Sequence, residues 1–349
     1  MLQGKLRVGV VGVGGIGRDQ HLPGWAKVPF AEVTALADTS PAALERAGAA
    51  LPGASRFDDW RDLVDRTDLD VVDICTPNAL HAPIALAALQ SGKHVLCEKP
   101  LATTSAEVTA LADAARSAGR VLMTAQQLRF DESARQLKGL VDAGMLGDVY
   151  YARAQWLRRR LLPPMPTFTE RRLSGGGPAF DIGVHVLDLA CWLMGTPEPV
   201  SVTATLGTFL AGRPDLGSEW GEWDRKRLDV EDFAAGFVRF ANGAALTLET
   251  SWLAFQPERE TIRLQIYGTR GGLVWPEGVV AGETNKAPWD LRLSDTVNKA
   301  PHHDEILAFA EAVRDGKPSP VPVAETLKVI RVLEAFYRSS ELRREVALG

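Results

Sequence analysis

Short apolar runs alternate with stretches of helical periodicity through the first third of the chain. Residues 6–11, 32–37, 71–75, 94–97 and 121–124 are too short for helices and too uniformly apolar for loops, so they are candidate buried strands. Between them, residues 41–50, 81–90 and about 105–118 carry helical spacing, the last with Ser105 as N-cap and Gly119 as its stop. Strand and helix in strict alternation predict βαβ units and a parallel sheet. After about residue 124 the pattern changes. A helical segment at 132–143 leads into long alternating runs at 149–159, 200–209, 230–240, 244–254 and 262–267, which predict half-buried strands. Asn242-Gly243 between two of these runs is a hairpin signal. Residues 211–228, with Gly, Pro, Trp and mixed charge, read as a loop. Residues 304–314 and 325–340 read as two helices around a Pro-rich connection. The predicted architecture is α/β plus α+β. Residues 1–124 form a doubly wound parallel sheet, and residues 125–349 form a large, mostly antiparallel open sheet with flanking helices and a C-terminal helical return.

A chain of 349 residues suits two domains. Its 46% hydrophobic and 24% charged residues are the balance of a globular protein. A net charge of −5 gives no electrostatic reason to expect a nucleic-acid or membrane partner. No apolar run approaches the ~20 residues of a membrane span, and the first strand begins too early for a signal peptide. Cys75, Cys97 and Cys191 lack metal-ligand spacing and lie in apolar surroundings, so no metal is expected and the thiols suit a reducing, cytoplasmic compartment.

Gly12-Val13-Gly14-Gly15-Ile16-Gly17 follows the first strand and opens a helical segment. Gly12 permits the tight turn, Gly14 the approach of backbone N–H groups to a pyrophosphate, and Gly17 close helix–sheet packing. Gly15 and Ile16 complete the phosphate-binding turn. Asp38 ends the second strand about twenty residues on, where a carboxylate accepts ribose hydroxyls and repels a 2′-phosphate. No Arg stands beside it, so NAD is preferred over NADP. A plainer reading makes Asp38 a turn residue capping the next helix. Farther along, Gly175-Gly176-Gly177 precedes Asp181 and His185. If that segment is helical, a carboxylate and an imidazole share one face.

Three further segments sharpen the reading: Thr76-Pro77-Asn78 with His81, Glu98-Lys99-Pro100, and Asp181 through His185. Together with the glycines they resemble the Gfo/Idh/MocA family of sugar and cyclitol oxidoreductases along essentially the whole chain. The resemblance implies a Rossmann domain followed by a domain whose open sheet serves subunit contact, giving a homodimer or homotetramer. It implies that Glu98, Lys99 and Pro100 lie beside the nicotinamide, often with a cis bond before the proline. It implies that Thr76, Pro77, Asn78 and His81 line the dinucleotide. It also implies that Lys99, Asp181 and His185 form the catalytic group. Gln127 departs from the family pattern, standing where many members have Asn, so its contact with cofactor or substrate is in question.

Moving a hydride between an alcohol carbon and nicotinamide requires an acid/base group at the oxygen. His185 is the expected base, with Lys99 polarising the same oxygen and Asp181 orienting the ring or a substrate hydroxyl; the sequence leaves the choice between Lys99 and His185 open. Trp156 and Arg158 are candidates for stacking on a sugar ring and holding a polar group, although a solvated or subunit-facing strand end is the plainer reading of that Arg-rich stretch. The expected activity is an NAD(P)-dependent oxidoreductase acting on a CH–OH or C=O group of a small polyhydroxylated substrate, a sugar, sugar derivative or inositol. Alternatives are a glycosidase using NAD in a transient oxidation–elimination cycle, a dehydrogenase of small amino or hydroxy acids, and a non-catalytic dinucleotide-responsive regulator.

Overall fold

The structure is a computed structural model that describes residues 4–294 and 300–348. The chain divides into two compact units, Met1–Gln127 with Ala300–Leu327, and Leu128–Lys299 with Lys328–Gly349. In the first, six strands form a parallel sheet: β1 (Leu6–Val11), β2 (Ala31–Ala37), β3 (Ser55–Phe57), β4 (Val71–Ile74), β5 (His94–Glu98) and β6 (Leu122–Ala125). Their order is β3-β2-β1-β4-β5-β6. The order reverses at β1, so the crevice above the carboxyl ends of β1 and β4 is where a doubly wound sheet takes its ligand. Burial on both faces explains the continuous apolar runs. β3 escaped the sequence pattern because its three residues, Ser-Arg-Phe, hold one apolar side chain and form no apolar run.

Helix ends follow local chemistry. The helix Ser105–Ala118 is capped by Thr104, not by Ser105, which is its first helical residue. Thr104 Oγ1 accepts the Glu107 N–H (3.2 Å) while the Glu107 carboxylate accepts the Thr104 N–H (3.0 Å), a reciprocal box that a cap at Ser105 could not form with Glu107. Gly119 ends the helix at φ +62°. The helix Pro301–Asp315 belongs to the first unit. There Phe309 meets Trp25 edge-on at 6.2 Å between ring centres, and both are buried.

The second unit holds a nine-stranded sheet: β7 (Val149–Arg158), β8 (Pro199–Gly207), β9 (Phe233–Phe240), β10 (Ala245–Ser251), β11 (Glu260–Gly268), β12 (Gly271–Trp275), β13 (Val279–Thr284), β14 (Ala287–Arg292) and β15 (Val346–Ala347). Their order is β14-β13-β12-β11-β7-β10-β9-β8-β15, antiparallel except for β7 beside β10. The expected run at 230–240 becomes a strand only from Phe233, because the preceding residues do other work. Asp232 accepts the N–H groups of Phe209 (3.0 Å), Leu210 (2.6 Å) and Ala211 (2.5 Å), anchoring the start of the 211–228 loop. That loop is packed: Trp223 lies in a buried cluster with Ile182 and Trp252. One face of the sheet, including Ala152, Ala154, Leu246, Leu248 and Ile266, is buried. The other carries Tyr151, Arg153, Gln155, Phe237 and Glu249, all half-buried, with Tyr151 stacked on Tyr267 at 5.8 Å. Among the described residues, no helix is long and apolar enough to cross a membrane.

Candidate active site

In the first unit the chain turns at Gly12 with φ +88°, where a Cβ would come within 2.5 Å of the Cys75 carbonyl oxygen. A side chain at Gly17 would strike the Gly12 carbonyl. Gly14 and Gly15, by contrast, face open space with nothing within 4 Å of a Cβ, and the half-exposed Ile16 follows them. The room lies where a pyrophosphate needs it, ahead of the helical turn Gly17–His21. Asp38 braces this loop: its Oδ2 accepts the Val13 N–H at 2.9 Å and its Oδ1 the Ser40 N–H at 2.8 Å. The helix cap belongs to Ser40, not to Asp38. The cleft above is lined by Gly12, Gly14, Asp38, Asp58, Thr76 and Pro77 among others, and none of its described lining residues is Lys or Arg. Thr76 Oγ1 is buried without a hydrogen-bond partner in the protein. An open glycine turn, an acidic strand end and an orphaned hydroxyl together fit a dinucleotide.

Asn78 opens a short 3₁₀ turn after Pro77. His81 is fully buried, with Nδ1 2.6 Å from the Pro100 carbonyl and Nε2 2.8 Å from the Thr76 carbonyl. It therefore ties the loop after β4 to the loop after β5. Burial holds its pKa below the ordinary value, although both carbonyls oppose this. The Lys99–Pro100 bond is cis. Glu98 is buried. Its Oε2 accepts the Lys99 N–H at 3.0 Å, and its Oε1 lies 3.0 Å from His21 Nε2. Burial acts to raise the Glu98 pKa, but the hydrogen bond and charge of His21, with Lys99 behind them, bring it down to about 2. Gln127 begins a 3₁₀ turn and is half-buried, while its neighbour Gln126 is buried with both amide atoms lacking a partner in the protein.

In the second unit the segment carrying Asp181 and His185 is helical, but not uniformly. Ala179–Gly183 is a π turn that passes into the α-helix Val184–Leu193, the kind of local widening that recurs at functional sites. Glu231 clamps its start, accepting the N–H groups of Gly177 (3.0 Å) and Ala179 (3.1 Å) and the Tyr337 hydroxyl (2.8 Å). A Cβ at Gly176 would collide with that hydroxyl, and one at Gly177 with the Glu231 carbonyl, so the glycines make the clamp possible. Asp181 Oδ2 accepts the Trp252 indole N–H at 2.9 Å and lies 3.6 Å from Arg158 Nη1. The His185 ring is buried and packs on Trp156 at 5.6 Å. Trp156 Nε1 and Arg158 Nε both donate to Glu260 Oε1 at 2.8 Å. The Arg158 guanidinium lies over Trp156 and, at 4.9 Å, over the exposed Trp220.

Trp156 and Arg158 thus point inward toward Asp181 and His185, whereas Arg159 and Arg160 bond backbone carbonyls at the exposed strand end. Sequence reasoning missed Glu260, Trp252, Glu231 and His21. Glu260 is recognisable only from the β7–β11 register, which sets it opposite Arg158. His21 had a visible counterpart: Asp73, a charged residue inside the apolar strand Val71–Ile74, needs a buried partner.

Residues 6–126 match the oxidoreductase family with an NAD-binding Rossmann fold, and residues 134–274 match the GFO/IDH/MocA C-terminal domain. The chain is 32% identical over 349 residues to D-glucoside 3-dehydrogenase of Escherichia coli (strain K12), across 100% of this chain and 99% of that one. It is 34% identical over 290 residues to levoglucosan dehydrogenase of Pseudarthrobacter phenanthrenivorans, across 78% of this chain and 73% of that one. The solved structure of a levoglucosan dehydrogenase in complex with NADH superposes with a TM-score of 0.87 at 27% identity, covering 99% of each chain. The chain belongs to the Gfo/Idh/MocA family of oxidoreductases, and residues 6–126 are the family's NAD-binding Rossmann fold.

Proposed function

We propose that this oxidoreductase removes a hydride from a CH–OH group of a neutral sugar or sugar derivative, with NAD as acceptor and Lys99, Asp181 and His185 as its catalytic group. The observation that carries this reading is the cluster of Asp181, His185, Trp156 and Arg158 in the second unit. Trp156 supplies a flat apolar wall suited to a sugar ring. Arg158 is matched by Glu260 and Asp181, so its charge is already balanced within the protein, which favours a neutral substrate. Two relatives bear the names of sugar dehydrogenases. Bound NAD⁺ supplies the hydride acceptor. His185 takes the alcohol proton, Lys99 polarises the same oxygen, and Asp181, held by Trp252 and Arg158, orients the hydroxyl or the imidazole.

Asp38 and Asp58, in a cleft whose described lining has no Lys or Arg, favour NAD over NADP. The outer face of the nine-stranded sheet, with its half-buried aromatic and charged ladder, is the surface proposed for a homodimer or homotetramer. The three buried cysteines suit the reducing cytoplasm.

The test is reduced-nicotinamide absorbance with NAD⁺ and, separately, NADP⁺, across levoglucosan, methyl glucosides, inositols and sugar acids. A signal is expected with NAD⁺ and a neutral sugar, falling by about 10²- to 10⁴-fold in Lys99→Met. Silence with every sugar, or a signal unchanged in the variant, would sink the proposal.

A further inference from the structure

Behind Lys99 the first unit buries a group of charges that the hydride transfer above does not use. His21 and Asp73 have no exposed surface, and Glu98 is 7% exposed. His21 Nδ1 lies 3.0 and 2.8 Å from the two oxygens of Asp73, and its Nε2 lies 3.0 Å from Glu98 Oε1. Trp25 Nε1 donates to Asp73 at 2.7 Å. A neutral imidazole has one N–H, so its bare nitrogen would confront a carboxylate lone pair. Two carboxylates, one at each nitrogen, therefore require the imidazolium. Glu98 is the hinge of the arrangement, because its other oxygen holds the backbone N–H of Lys99.

We propose that His21 is a positioning residue for Lys99, acting through Glu98: it fixes one carboxylate oxygen so that the other grips the Lys99 amide. This rests on the reading of Lys99 as part of the catalytic group. Each ring nitrogen donates to a charged acceptor, and charge-assisted hydrogen bonds are the strongest and most directional available. The pair thus holds the Lys99 backbone from the protein interior.

Ionisation follows the geometry. Burial is the largest influence on the His21 pKa and would lower it, but Asp73 and Cys75, through charge and hydrogen bonding, together carry the group well above its usual range. Glu98, held near 2, feels His21 first and then Lys99 and His302. The other groups facing the cluster are neutral or silent at neutral pH. Burial holds His302 at about 4 and raises both Cys75 and Cys97. It also pushes Glu305 well above the carboxylate range, with Glu98 adding to the effect. His81, bonded to the Pro100 carbonyl, is likewise depressed by burial. Removing His21 leaves Glu98 buried without the partner that keeps it ionised, so its pKa must rise.

The experiment uses His21→Asn, Glu98→Gln and the double variant, assayed with NAD⁺ on levoglucosan and methyl glucoside. For His21→Asn, kcat is expected to fall about ten- to a hundredfold with KM little changed. A new acid limb should also appear in kcat between about pH 5 and 8, as the buried Glu98 takes up a proton. That limb should be missing in Glu98→Gln, and the double variant should be no worse than the poorer single one. An unchanged pH profile in His21→Asn, or losses that multiply in the double variant, would overturn the inference. Should the variants not fold, ¹⁵N NMR of the His21 ring in the unsubstituted protein still decides it. Both nitrogens must carry protons at neutral pH, and a bare one excludes the clasp. That measurement needs no turnover, so failure to oxidise any sugar would count against the proposed function and leave the His21 result standing.

Discussion

Asp38 spends one lone pair of each oxygen on the backbone, at Val13 and Ser40, which leaves the others open to a ribose. It is a brace, and on the proposed reading also the cofactor selector. Asp38→Ala should therefore shift cofactor preference and loosen the glycine turn together. The ratio of kcat/KM for NAD⁺ to that for NADP⁺ should fall at least about tenfold, with a stability loss of about 1–3 kcal/mol from the two uncapped N–H groups. Steady-state assays with both cofactors and a denaturant titration check it, and an unchanged ratio would remove Asp38 from the selector role. Asp38, Lys99 and His185 could be named as candidates from the sequence because each stands in a short motif. Their partners were not. His21 meets Glu98 across 77 positions, and Arg158 meets Glu260 across 102, separations at which no local pattern links a charge to its counter-charge.

The π turn Ala179–Gly183 depends on a residue far from it in the chain. Glu231→Ala leaves the N–H groups of Gly177 and Ala179 and the Tyr337 hydroxyl without their acceptor. Each buried orphan costs about 1–3 kcal/mol. A lower melting temperature is expected, with kcat reduced more than KM is raised, because Asp181 and His185 hang from that turn. Thr104→Ala is the contrast. It removes one half of a capping box, costs about 1 kcal/mol, and should leave kcat alone. Equal effects of the two substitutions on kcat would show that Glu231 is merely structural. Elements with a clear period were readable beforehand: the 149–159 alternation became β7, and Asn242-Gly243 joins β9 to β10. β12, β13 and β14 were not, since they lie at a sheet edge, where Gly271, Gly272 and an exposed β14 leave only a short alternation, Leu273 to Trp275, to read.

The stability of the whole molecule should depend on pH through Glu305. Its carboxyl is fully buried without a hydrogen-bond partner, and burial raises its pKa well above 4.5. The folded state thus binds this proton more tightly than the unfolded chain does. The resulting stability is full below the unfolded pKa and is lost as pH rises toward the folded one. Glu305→Gln cannot ionise, so its melting temperature should decline less between pH 4 and pH 8 than that of the parent protein; parallel declines would show that Glu305 is not holding a proton. The same helix, Pro301–Asp315, supplies Phe309 to cover Trp25, although residues 128–299 of the other unit intervene in the sequence. On a ribosome, the cofactor-binding half is therefore the first to be started and among the last to be closed. Until residue 315 emerges, the apolar ground around Trp25 lies uncovered. A nascent chain arrested near residue 130 is expected to engage chaperones that bind apolar surface, and one released past residue 327 to let them go.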